Sequence, residues 1–218
     1  VSLGWRISEE EFFKNYANKI DEFKLRGSYG EVGNNATADY QYLSKISLGL
    51  NYPFGGAISS GAGQTKSSSP NLIWESASSF NIGFDLSLFN SKLMVSAEYY
   101  DRLTDDILIS IPVSSIYGLP APTVNGGSMK NSGFEIETGH RNRIGDKLSY
   151  NISFNIGLNE NKTIRFPNPS VGSRIYKEEY PWGGFYGYEY AGLYQTDSEV
   201  KNHPKVPGAP VQKGDLKF

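Results

Sequence analysis

Apolar and polar residues alternate along two neighbouring stretches of the chain. Phe80, Ile82, Phe84, Leu86 and Leu88 fall on one face of an extended segment, with Asn81, Gly83, Asp85 and Ser87 on the other. After Asn90-Ser91-Lys92 the pattern restarts with Leu93, Val95, Ala97 and Tyr99, opposite Ser96, Glu98, Tyr100 and Arg102. Strand side chains point to opposite faces with period two, so strands are predicted over 79–89 and 93–102, joined by a tight turn into an antiparallel hairpin. A second pair is predicted over 132–142 and 148–160, connected through Arg143-Ile144-Gly145-Asp146-Lys147. In its second member Leu148, Tyr150, Ile152, Phe154, Ile156 and Leu158 share one face without a break. A further strand is expected at 23–29, with Phe23, Leu25 and Tyr29 on its apolar face, and another within 1–7.

The connections carry a pattern of their own. Short turns alternate with the long segments 30–78, 103–131 and 161–218, which are rich in Gly, Ser, Pro, Asn and Tyr. A β-sandwich mixes both kinds of connection at either end, whereas an outer-membrane barrel has short periplasmic turns and long extracellular loops. One stretch reads as helical instead. Ser8 with Glu11 three residues on resembles a capping box, and Phe12, Phe13, Tyr16 and Ile20 follow at helical spacing. This places a short surface helix on the side of the short turns.

Two partners suit the apolar faces: a protein core or lipid. The polar faces carry mostly Ser, Asn and Gly with a few charges such as Asp85, Glu98, Glu135 and Glu137, which suits a crowded wet lumen. The apolar faces are nearly free of charge, and aromatics including Tyr29, Phe89, Tyr99 and Tyr100 gather toward strand ends, as interfacial girdles require. The fold class expected is all-β, an antiparallel transmembrane barrel segment with short periplasmic turns and long extracellular loops. The alternative is a secreted or surface β-sandwich that binds carbohydrate without transport. Five or six strands cannot close a barrel with a lumen, so in lipid this chain belongs to a larger one and is not expected to fold alone.

Composition narrows the partners. The chain has 218 residues and a formal net charge of −2, with no basic cluster for nucleic acid or anionic lipid. Cysteine is absent, which removes disulfides, thiolate metal sites and cysteine nucleophiles. No apolar run is long enough for a transmembrane helix, which leaves membrane strands untouched. The first residues have neither an initiating methionine nor the features of a signal peptide, and the last look unlike a natural terminus, so the chain is expected to be an internal or processed piece.

Four stretches carry a family resemblance: FKLRGSYGEVGNN (23–35), SPNLIWESASSFNIGFDLSLFNSKLMVSAEYYDRLTDDIL (69–108), NGGSMKNSGFEIETGHRN (125–142) and GFYGYEYAGLYQTDSEV (184–200). With GWRISEEEFF before them and a terminal GD-x-x-F at 214–218, they resemble the SusC/RagA family of TonB-dependent transporters over nearly the whole chain. The resemblance implies that residues 1–218 are the C-terminal part of a barrel in a Bacteroidota-type outer membrane, closed elsewhere by an N-terminal plug. It implies uptake of oligosaccharides, or peptides, with a SusD-like surface lipoprotein over the mouth. Energy would come from TonB through an N-terminal region outside this chain.

Chemistry beyond binding finds little support. Aromatics crowd the last segment, where Tyr176, Tyr180, Phe185, Tyr190 and Tyr194 surround the three residues chosen for substrate, Trp182, Tyr186 and Tyr188. Their rings suit the flat faces of sugars, and equally the packing of loops. Asp101, Asp105 and Asp106, and Glu178 with Glu179, are loop acids without the facing geometry of a glycosidase pair, so no enzyme and no cofactor is expected. Neither DRLTDD nor TDSE matches a calcium loop, and His140 and His203 lack zinc spacing. The Asn-x-Ser/Thr triplets at Asn35, Asn151 and Asn161 read as coincidence, one of them lying inside a strand.

Overall fold

The computed structural model describes residues 1–16, 19–204, 208 and 210–218, with the backbone alone for residues 15 and 16. Six strands form one continuous antiparallel sheet in which sequence neighbours are always spatial neighbours. They are β1 (Ser2–Arg6), β2 (Ile20–Asn34), β3 (Glu75–Leu88), β4 (Leu93–Ser110), β5 (Thr123–Ile144) and β6 (Leu148–Arg165). The sheet is open, with β1 and β6 at its edges. Tight turns join β3 to β4 and β5 to β6, with Phe89, Asn90, Ser91 and Gly145 in left-handed backbone conformations. The long connections lie at the opposite end of the sheet, as the alternation of connection lengths requires.

Among the described residues no second sheet covers the first, and the sheet encloses no core. The buried apolar residues described are Ile7, Ile175 and Tyr194, none of them in the six strands. Phe80, Ile82, Phe134, Ile136, Ile152, Phe154, Ile156 and Leu158 are all exposed. The accessible surface is 15906 Å². A compact soluble protein of 24.1 kDa exposes roughly 10,000 Å², so the excess is far too large for a sandwich.

The register gives the apolar face a definite tilt. On β6 the apolar window runs from Leu148 to Leu158, centred on Ser153, and on β2 from Phe23 to Tyr29, centred on Arg26. Arg26 is in register with Gly83, Glu98, Glu135 and Gly157 across the sheet. Gly157 lies four residues beyond Ser153 (157 − 153), and β6 lies four strands from β2, so the window climbs one residue per strand. With a rise of about 3.4 Å and a spacing of about 4.8 Å this is a tilt of about 35°, that of strands crossing a membrane. Ten residue steps on β6 span about 34 Å along the strand, or about 28 Å normal to such a plane, close to the apolar height of outer-membrane barrels. Just past Tyr99 the same face turns charged, where Asp101 pairs with Lys130 at 2.7 Å.

Three expectations need correction. The segment 103–131 is mostly strand, and the true loop is only 111–122. Register shifts around Ile107, with Asp106 in a left-handed conformation, reverse the parity of β4 and hide its continuation from a period-two reading. The expected helix is two 3₁₀ turns, Ile7–Glu9 and Glu11–Tyr16, with Ser8 inside the first and no side-chain cap on it. Glu10 between them is extended, and its carboxylate accepts the Trp5 indole N–H at 2.9 Å. The Tyr16 side chain and residues 17–18 fall outside the described set. Tyr100 is no girdle residue: it projects from the polar face, and its hydroxyl donates to Asn159 at 3.0 Å.

Candidate substrate-facing wall and mouth

Two long side chains cross the polar face over glycines. The Arg26 guanidinium on β2 passes over Gly83 on β3 to Glu98 on β4, and its Nε lies 3.4 Å from Asp85. Ser96 donates to the same Asp85 at 2.9 Å, closing a network over three strands. A Cβ at Gly83 would stand 3.3 Å from the guanidinium carbon and 2.6 Å from the Ala97 carbonyl oxygen. Tyr100 on β4 passes over Gly133 on β5 to reach β6 in the same manner. Shallow grooves of about 470 Å³ and 440 Å³ lie beside these crossings, lined by Glu135, Glu137 and Asn155, and by Arg102, Asn131 and Asn159. Among the described residues the Glu135 and Glu137 carboxylates have no cationic partner. The polar face is thus a wall of fixed charges and amides.

The mouth is braced where the strands bulge. Arg165 reaches Asp105 at 3.1 Å and Asp106 at 3.3 Å, so a cation already holds the last two aspartates of DRLTDD. Asn125 donates to the Asp106 and Ile73 carbonyls and accepts the Ile73 N–H, each at 2.8 Å. Ser67 donates to the Pro120 carbonyl at 2.5 Å, tying the first long loop to the second. Period-two reasoning missed Asn125 and Arg165, because bulges carry no such signal.

The three substrate candidates differ in setting. Trp182 is half-buried, with ring centroids 5.2 Å from Phe166 and 6.3 Å from Tyr176, and its indole lies over Gly127. The Trp182 N–H donates to Asn161 Oδ1 at 2.7 Å, so Asn161 serves the fold in β6; Asn151 lies in the same strand, so two of the three triplets are in strands. Tyr186 is exposed and makes no ring contact among the described residues, while Tyr188, also exposed, lies 5.8 Å from Phe218. Exposed aromatics of the first loop, Tyr52 and Phe54 at 4.9 Å from each other, were not singled out from the sequence, although their spacing in a short hairpin was visible. His140 pairs with Tyr150 and His203 with Tyr194, and the two are not brought together.

The acids of TDSE build a helix start. Thr196 caps Asp197–Asn202 by accepting the Glu199 N–H at 3.2 Å, and Glu199 accepts the Gln195 N–H at 2.9 Å and meets Lys217 at 3.6 Å. That backbone hydrogen bond, aided by Lys217, holds the Glu199 carboxyl below its usual range. The stabilisation is therefore complete above the ordinary carboxylate pKa and is lost as pH falls through the depressed one. Intrinsic-rate-corrected hydrogen exchange of 195–203 is expected to quicken over that acidic window, and Glu199→Gln to flatten the dependence. An unchanged profile in the variant contradicts the assignment.

An open antiparallel sheet with a tilted bare apolar band, a polar opposite face and long loops at one end is the wall of an outer-membrane β-barrel. The family model for the TonB-dependent receptor-like β-barrel matches residues 1–211. TonB-dependent receptor P3 of Formosa agariphila is 30% identical over 228 residues, covering 99% of this chain and 23% of that protein. TonB-dependent receptor SusC of Bacteroides thetaiotaomicron is 32% identical over 171 residues, covering 76% of this chain and 17% of that protein. A structure of the RagAB peptide importer in its closed–closed state superposes with a TM-score of 0.76 at 27% identity, covering 99% of this chain and 24% of that one. The chain belongs to the TonB-dependent receptor β-barrel family, is of the SusC/RagA type, and resides in the outer membrane. It spans less than a quarter of the length of these relatives.

Proposed function

We propose that residues 1–218 are the C-terminal part of the barrel of an importer that carries oligosaccharides across the outer membrane. A SusD-like lipoprotein covers the mouth, and TonB supplies the force through an N-terminal plug region. The observation that carries this reading is the match to the receptor barrel over 1–211, joined to a wall that is polar on one face only. Grooves along that wall and the aromatics above it form a path lined by groups that bind hydroxyls and ring faces. Tyr186 and Tyr188 present rings to substrate, and Trp182 fixes the loop that carries them. A binding module is disfavoured by the uncovered apolar band, and among the described residues no carboxylate pair points to hydrolysis.

The test uses the full-length transporter in its own host, with its gene deleted and restored. Restoration is expected to recover uptake of labelled oligosaccharides from a panel also containing peptides. The double variant Tyr186→Ala/Tyr188→Ala, still shifted on gels by heating, is expected to weaken uptake affinity about 3- to 10-fold, the scale of one lost aromatic contact. Restored uptake of peptides alone assigns the substrate to the other class. Uptake of both classes unaffected by deletion removes the importer reading.

A further inference from the structure

Between β1 and β2 the chain does not turn back at once, and residues 7–16 fold against the outside of the barrel wall. The Phe13 ring lies 6.0 Å from Phe23, and Phe23 lies 6.3 Å from Phe84. Phe12 meets Trp5 edge-on at 6.4 Å. Trp5 is in register with Leu25, and Leu25 with Phe84, so these rings continue the apolar face and not the polar one. Phe23 begins the apolar window on β2, so the contact lies at its periplasmic limit. A segment meant for water would turn Phe12 inward, yet Phe12 is 63% exposed and Trp5 is 50% exposed. The ionised groups of the same turns, Glu9, Glu11 and Lys14, are exposed as well.

We propose that residues 7–16 are an interfacial foot that seats in the periplasmic leaflet, with Phe12, Phe13 and Trp5 at the boundary between acyl chains and head groups of phospholipid. The occupant is phospholipid because the aromatic surface runs without a break from the band that the strands present to the bilayer. The foot is a contact additional to that of the strands. It holds the outer side of the β1–β2 junction at a fixed depth, with its glutamates turned to periplasmic water. The inference rests on the outer-membrane reading of the apolar face and not on the substrate.

The test is depth-dependent quenching in the full-length protein in phosphatidylethanolamine-rich liposomes, with any cysteine outside this chain replaced. Bimane is attached in turn to Phe12→Cys, Glu11→Cys, Phe154→Cys in the band and Asp146→Cys in the β5–β6 turn. Each variant is first shown to keep its heat-shifted gel band. Fluorescence at Phe12→Cys is expected to be lost to lipids carrying a nitroxide near the head group and spared by aqueous iodide. Glu11→Cys and Asp146→Cys are expected to be quenched by iodide. Iodide quenching of Phe12→Cys, or resistance to both quenchers as in a contact between two copies, overturns the foot. Phe154→Cys is expected to be quenched by lipids carrying the nitroxide deep in the acyl chain, and loss of that quenching marks failure of the membrane reading itself.

Discussion

Phe154→Arg lowers the stability of the folded barrel by about 2–4 kcal/mol, the cost of a cation near the bilayer midplane, which is a roughly 30- to 900-fold drop in the folded-to-unfolded ratio. Phe154 sits next to the centre of the β6 window, on the apolar face and exposed. The adjacent Asn155→Arg places the same charge on the polar face, beside Glu137 in the register, and is expected to cost little. Neighbouring residues therefore separate the two faces with secondary structure and charge held constant. Urea titration of the liposome-embedded full-length protein, read as the heat-shifted fraction, measures both. Equal losses would mean that the apolar face meets something other than lipid.

Gly133→Ala is the second large effect. A Cβ there would lie 2.3 Å from the Leu158 carbonyl oxygen and 2.7 Å from the Tyr100 hydroxyl. The first contact is with backbone, so the β5–β6 pair must shift, at the roughly 1–3 kcal/mol of an overpacked site or more. Tyr100→Phe forfeits only its hydrogen bond to Asn159, worth about 0.5–1.5 kcal/mol. Adding Tyr100→Ala to Gly133→Ala removes one clash and leaves the other, so the double variant recovers part of the loss. Gly30→Ala is the control, because nothing lies within 4 Å of its added Cβ. Similar melting of the Gly30 and Gly133 variants contradicts the crossing geometry.

Strands with uninterrupted alternation were legible from residues alone. β3 and β6 declare themselves because lipid on one side and polar groups on the other impose period two over most of their length. β4 and β5 outran their signal, since the shifts around Ile107 put consecutive residues out of phase, and the end of β6 outran its own through the shift between Thr163 and Arg165. The crossings over Gly83 and Gly133 were invisible for another reason: they depend on which residues of separate strands share a register. The aromatics at 12–13 read as helical because spacing cannot tell rings facing a helix partner from rings facing lipid. At the mouth, sequence singled out Trp182, Tyr186 and Tyr188 together, and only packing separates the half-buried indole from the two exposed phenols. The bracing role of Asn125 needed the bulged backbone it bonds to.

The claim on which the account turns is that one face of β6 touches lipid along its length. Spin labels placed singly at 148–158 in the full-length protein, reconstituted in liposomes, test it through collision with oxygen, which concentrates in the acyl region. The account predicts accessibility that alternates with period two, with maxima at Leu148, Tyr150, Ile152, Phe154, Ile156 and Leu158. A flat profile, or maxima at Ser149, Asn151, Ser153, Asn155, Gly157 instead, would contradict it.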